Sequence, residues 1–209
     1  MSVFVENVAY KPFVYPELAE ASQRHMIDMH WDVHQLNLQD DIQQYNSSNG
    51  LKTANVSHAQ NKNILKRTLC LFTEMDRTVG GGYVKLLQYI RNNEAINWCL
   101  TAASREVVHQ RAYALAAEAV GISNDDWRAF AEYKEMVDKL EIMSKDLSPS
   151  NARNEFKAAL LTSQILLGEG VGLFGAFITM LNMKRHGKII GINDINAWSL
   201  VDEEDHVGR

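Results

Sequence analysis

The sequence predicts an all-α fold, a bundle of long helices packed around a polar centre. Only three prolines, Pro12, Pro16 and Pro149, interrupt 209 residues. Proline removes a helix donor and clashes with the preceding turn, so long proline-free intervals leave helix as the available regular structure. No Val/Ile/Thr alternation of strand type occurs, and isolated acids stand in apolar stretches of helical period. With 46% hydrophobic content the chain can bury a full core, and its length fits one domain over residues 1–209.

After an irregular start to about residue 15, helices are expected near 16–30, 36–47, 57–90, 93–120, 124–146, 151–185 and 192–207. Asn49-Gly50 closes the second, Gly121 the fourth and Gly187 the sixth. Ser123 before Asn-Asp-Asp and Ser148-Pro149-Ser150 read as helix starts. On the helix at 57–90, Leu65, Leu69, Phe72, Asp76, Val79 and Tyr83 alternate spacings of four and three, which puts an acid on a core-facing stripe. Gly80-Gly81-Gly82 is a candidate break in that helix. Glu106 and His109 share a stripe with Cys99, Ala102, Tyr113 and Ala116, while Glu169 shares one with Ile165, Leu173 and Ala176.

The stretch Ala158–Met183 carries a single charge, Glu169, and is long enough to cross a bilayer. Thr162, Ser163, Gln164, Thr179 and Asn182 dilute its apolarity, and Glu169 at mid-membrane would cost roughly 2.5–3.5 kcal/mol or more. A helix buried on all sides is the expectation, with no membrane partner. A net charge of −5 and a pI near 5.8 argue against nucleic acid, which wants clustered Lys and Arg. Cys70 and Cys99 form no Cys-x-x-Cys, so reduced thiols in a cytoplasmic protein are expected. The start, MSVFVENVAYKPFVYP, shows no secretion signal. Gly170-Val-Gly172-Leu-Phe-Gly175 matches a dinucleotide-binding pattern, but that pattern needs a preceding strand, and here it falls inside a helix.

Two copies of one pattern carry the chemistry. Glu106-x-x-His109 follows Asp76 by 30 residues, and Glu203-x-x-His206 follows Glu169 by 34, so acid, helical hairpin and Glu-x-x-His occur twice in the same order. Spacing of three sets a Glu and its His side by side on one helix face. Buried unpaired carboxylates are costly. Asp76, Glu106, Glu169 and Glu203 would contribute −4, no Lys or Arg is expected on the inner stripes, and two divalent ions would cancel the charge. Each pair could grip one ion while other carboxylates bridge. Oxygen ligands with two imidazoles suit iron or manganese better than a closed zinc site: two Fe ions, a Mn/Fe pair or two Mn. Glu204 and Asp205 read as solvated charges pointing away.

These residues resemble the small, radical-generating subunit of class I ribonucleotide reductase. The resemblance runs from about Tyr15 to the last residues: LCLFTEMDRTVGGGY around Asp76, SREVVHQRAYAL around Glu106 and His109, LLGEG around Glu169, VDEEDH around Glu203 and His206. It implies a ferritin-like bundle with a carboxylate-bridged di-metal site that activates O2 and stores a radical on Tyr113. A large subunit would use that radical to reduce ribonucleotides to deoxyribonucleotides. It further implies that Trp31, in HWDVHQLNLQDD, and Asp202 form a radical route to His109. Leu173 and Phe177 would line the radical's pocket, and Ser199 is polar where the family tends to be apolar. Family members continue beyond the last histidine; this sequence closes at Arg209, three residues after His206, so a second polypeptide supplying C-terminal helices is expected, together with a homodimer. The rivals are a di-metal ligand-binding oxidase without a stored radical and a non-catalytic ferritin-like metal-binding module.

Overall fold

In the computed structural model, which describes residues 2–208, every regular element is helical. Met1 and Arg209, the expected close of the ligand helix, lie outside the described residues. In chain order the helices are α1 (Pro16–Ile27), α2 (Gln39–Asn46), α3 (His58–Leu86), α4 (Asn93–Ala119), α5 (Asn124–Ala131), α6 (Lys134–Ser144), α7 (Asn154–Leu167), α8 (Phe174–Arg185) and α9 (Ile190–Val207). A 3-10 turn at Val33–Gln35 follows α1, and a π-helical turn at Gly168–Gly172 joins α7 to α8.

Local chemistry explains most boundaries. Pro16 occupies the first turn of α1, where its missing donor costs nothing. Ser57 with Gln60 caps α3, Asn92 accepts from the Ala95 amide at the start of α4, and Ser123 with Asp126 caps α5. Gly121 and Gly187 take positive φ after α4 and α8, as helix stops require.

Three expectations change. The stretch 124–146 is two helices, parted at Tyr133, whose extended backbone (ψ 126°) accompanies a ring set under the Arg67 guanidinium of α3 at 5.0 Å. That partner lies far back in the chain, so no local signal announces the break. Ser148-Pro149-Ser150 forms a turn, and α7 starts only at Asn154. Helix α3 runs unbroken through its three glycines, two of which serve close packing: a Cβ on Gly80 would lie 3.0 Å from Glu106 Cβ, and one on Gly82 2.8 Å from Ile165 Cγ1.

The longest packed pair is α3 against α4, with α1 laid on α4 and α7, α8 and α9 closing the other side. Along α3, Leu65, Leu69, Phe72 and Met75 belong to one apolar cluster, and Val79, Tyr83 and Leu86 to another. Asp76 falls at the seam between them. Asn154–Arg185 is apolar and long enough to cross a membrane by length and composition, yet it is not buried on all sides as expected. Leu167, Val171, Phe174 and Ile178 turn outward and are about half exposed or more.

Candidate metal centre

The four ligand-bearing segments approach at that seam. Asp76 from α3, Glu106 and His109 from α4, Glu169 from the π turn, and Glu203 and His206 from α9 are all at most 3% exposed. The wide turn at Gly168–Gly172 holds Glu169 inward, and its glycines let it lie against α3: a Cβ on Gly172 would meet Met75 Cε at 3.1 Å.

The six residues fall into two overlapping sets. Asp76, Glu106, His109 and Glu203 place one ligand atom each within 4.8 Å of one another, and so do Glu106, Glu169, Glu203 and His206. Glu106 and Glu203 belong to both. Each Glu–His pair lies within one set, but the carboxylates common to both sets are the paired glutamates themselves rather than the other two acids; Asp76 and Glu169 sit at the two outer ends. His109 Nδ1 stands 3.5 Å from Glu106 and 3.3 Å from Glu203. His206 Nδ1 stands 3.3, 3.1 and 3.2 Å from Glu106, Glu169 and Glu203. Both imidazoles turn the same nitrogen to the same carboxylates.

The donor set fits a pair of divalent cations. Asp76 Oδ2, both Glu106 oxygens and Glu203 Oε1 are buried without a hydrogen-bond donor, an arrangement that is costly unless a cation takes the lone pairs. Without metal, protons must do that work. Burial lifts the Asp76 carboxyl well above its usual range and Glu169 to about 8. Burial also opposes ionisation of Glu203, but the adjacent His109 and His206 imidazoles outweigh it and hold that group down at about 2. The two imidazoles are pushed well above the ordinary histidine value against their burial, His109 chiefly by Glu106 and His206 chiefly by Glu169.

Around His109 the structure joins Trp31 and Asp202. Asp202 Oδ2 accepts from Trp31 Nε1 at 2.9 Å and lies 2.9 Å from His109 Nε2, and the Trp31 and His109 rings stack 5.6 Å apart. The 3-10 turn, capped by Asp32 and Gln35, follows Trp31 as it enters the core. Tyr113, one helical turn beyond His109, is 1% exposed and stacks on Phe72 at 4.4 Å, with Phe177 behind Phe72 at 5.0 Å. Burial pushes its hydroxyl pKa well up, and the Asp76 charge adds to that, while the Ser199 hydroxyl acts against it.

Three residues near the site escaped the sequence reading. Arg105 contradicts the expectation of no inner cation: it is 4% exposed, donates to Asp202 Oδ2 from Nη2 (2.8 Å) and Nε (3.2 Å), and sits 5.1 Å over the Trp31 ring. Asp205 does not point away. It is 8% exposed, paired with Arg24, and 2.9 Å from His25 Nε2. Standing three residues after Asp202, it shares that residue's helix face, a usable signal. Tyr83, seven residues after Asp76 on the same stripe, donates its hydroxyl to Glu169 at 3.0 Å. Glu204 is exposed, as expected. Cys70 and Cys99 are buried free thiols, both pushed by burial to about 12. The glycine pattern at 170–175 spans the π turn and the start of α8, without a strand among the described residues.

Comparison with known proteins agrees with this geometry. The family described as "Ribonucleotide reductase, small chain" matches residues 7–208. A probable ribonucleoside-diphosphate reductase small subunit of Invertebrate iridescent virus 3 is 28% identical over 99% of this chain and 56% of its own length. The chain thus spans just over half of that relative. Among solved structures, dimanganese(II)-NrdF of Streptococcus sanguinis superposes with a TM-score of 0.77 at 14% identity, covering 97% of this chain and 68% of its own. An R2-like ligand-binding oxidase carrying a Mn/Fe cofactor superposes with a TM-score of 0.72 at 13% identity, covering 96% and 75%. These likenesses establish the ferritin-like fold.

Proposed function

The chain belongs to the ribonucleotide reductase small-chain family, and from that premise we propose that it is a radical-generating small subunit of ribonucleoside-diphosphate reductase. Asp76, Glu106, His109, Glu169, Glu203 and His206 hold two ions of iron, manganese or one of each. Bound there, the metal pair supplies the oxidising power drawn from O2.

The remaining work belongs to the protein. Tyr113 is the residue the metal pair would oxidise, and its raised pKa holds the phenolic proton on oxygen. Phe72 and Phe177 exclude water from the ring. Ser199 places a polar group near the hydroxyl. Asp202 holds the Nε2 proton of His109, which leaves Nδ1 free for a cation. The same oxygen receives the Trp31 indole N–H, so Trp31, Asp202 and His109 form one hydrogen-bonded line from the segment after α1 to the metal-binding side chains. That shared oxygen is the observation carrying the proposal, because a storage module has no use for a tryptophan tied to a ligand histidine.

The partners proposed are the reductase large subunit, a second copy of this chain, and a further polypeptide whose helices pack on the outward apolar side chains Leu167, Val171, Phe174 and Ile178. Cytoplasmic location is proposed with them. Loading with Fe(II) under anaerobic conditions and then adding O2, with and without that polypeptide, should give a tyrosyl signal in electron paramagnetic resonance. Metal-loaded, oxygen-reacted protein with no such signal in either case would transfer the assignment to a ligand-binding oxidase or a metal-binding module.

A further inference from the structure

Beside the metal centre lies a cavity of about 460 Å³ that the proposed reaction does not use. Its walls come from the N-terminal segment, α1, α3, α4 and α7, with Leu18, Leu86, Trp98 and Ile165 among the lining side chains. At its mouth on α7, Glu155 and Ala159 are exposed. At its floor are two buried polar residues, Tyr83 and His206. Volumes of this size are those of small-molecule sites, in which apolar walls supply contact area and a few polar atoms set orientation.

The floor is unevenly satisfied. Tyr83 already spends its hydroxyl proton on Glu169. His206 directs Nδ1 at three carboxylates, while His25 stacks on its face at 5.0 Å and the Trp98 and Tyr83 rings stand edge-on at 5.9 and 5.8 Å. His206 lines the cavity, and its other nitrogen, Nε2, is buried with no hydrogen-bond partner. The sister imidazole, His109, has Asp202 at that atom. With Nδ1 on a cation, Nε2 bears the ring proton, and a buried donor lacking an acceptor is costly.

We propose that this cavity binds a neutral, apolar chain molecule whose single terminal oxygen accepts the Nε2 proton of His206, with the chain running out between α1 and α7. The head is neutral because no lysine or arginine lines the cavity and the mouth carries Glu155; an anionic head would have no counter-ion there. The position of the proton rests on the metal reading above, whereas the shape and apolarity of the cavity do not.

The test uses three eight-carbon probes. In calorimetry on the full chain, 2-octanone should bind one to one and at least tenfold more tightly than 1-octene, which lacks an acceptor, or octanoate, which is anionic. Ala158→Phe, which fills the cavity from α7, should weaken 2-octanone at least tenfold, and Leu18→Phe should do the same from α1 if the first variant misfolds. In Mn(II)-loaded protein, paramagnetic relaxation of bound 2-octanone should be strongest at the protons flanking the carbonyl and fall toward the far methyl. Equal binding of 1-octene, tighter binding of octanoate, indifference to both filling variants, or a reversed gradient would each overturn the proposal. Failure to hold Mn(II) counts against the metal reading instead, and the calorimetric ranking still decides the cavity.

Discussion

The two ends of the candidate metal centre present matching acid and imidazole side chains in different surroundings. At the His109 end the outer imidazole nitrogen is committed: Asp202 takes Nε2, Arg105 and Trp31 hold Asp202, and Phe72 covers Tyr113. At the His206 end Nε2 has no acceptor, Asp205 pairs outward with the half-exposed Arg24, and an apolar cavity reaches the ring. A doubled sequence pattern thus specifies a doubled set of candidate ligands, while the residues around them make one end closed and the other accessible. Closure suits storage of a reactive species, because burial and fixed dipoles exclude water.

The comparison can be broken first at the carboxylates the ends share. Glu106→Ala or Glu203→Ala should cut bound metal from two ions per chain to one or fewer by elemental analysis, whereas Asp76→Ala and Glu169→Ala should each spare one site. Two ions retained in Glu106→Ala would mean that the ends are independent. The second test separates the tyrosines: after Fe(II) and O2, Tyr113→Phe should abolish the tyrosyl signal and Tyr83→Phe should retain it. Persistence of the signal in Tyr113→Phe would shift the redox site to the accessible end.

Stability sharpens the contrast further. Arg105→Leu strips a buried carboxylate of its cation and should cost about 3 kcal/mol, lowering Tm by roughly 6–12 °C. Arg24→Leu, at a pair whose arginine is 44% exposed, should cost less than about 1 kcal/mol. Similar losses in thermal melts would erase the difference between the ends. Between these lies a pH effect shared by both. Asp76, Glu169, His109 and His206 all have raised pKa values without metal, so they hold protons that a cation must displace. Metal affinity should therefore strengthen from pH 6 to pH 8 with protons released on binding, as calorimetry in buffers of different ionisation enthalpy would show.

Much of this site is legible because helices turn sequence spacing into direction. Asp76 and Glu169 stand out as acids on apolar stripes, and three-residue spacing pairs each Glu with its His. The π turn interrupts a stretch whose sequence reads as one helix over 151–185, because its glycines pack against α3, a partner distant in the chain. Arg105 was hidden for a physical reason: it lies one residue, and so about a quarter turn, from Glu106, and its partner Asp202 is 97 residues away. Nothing local distinguishes such an arginine from a solvated one.

Sequence by itself determined the helical class, the six convergent acid and imidazole side chains and the order in which they arrive, since periodicity and the cost of burying charge act locally. Tertiary structure alone decided which carboxylates are shared, which imidazole is capped, where α5 parts from α6, and that a cavity ends on His206. Those features depend on where separate helices meet in space, and the contacts that set them join residues far apart in the chain.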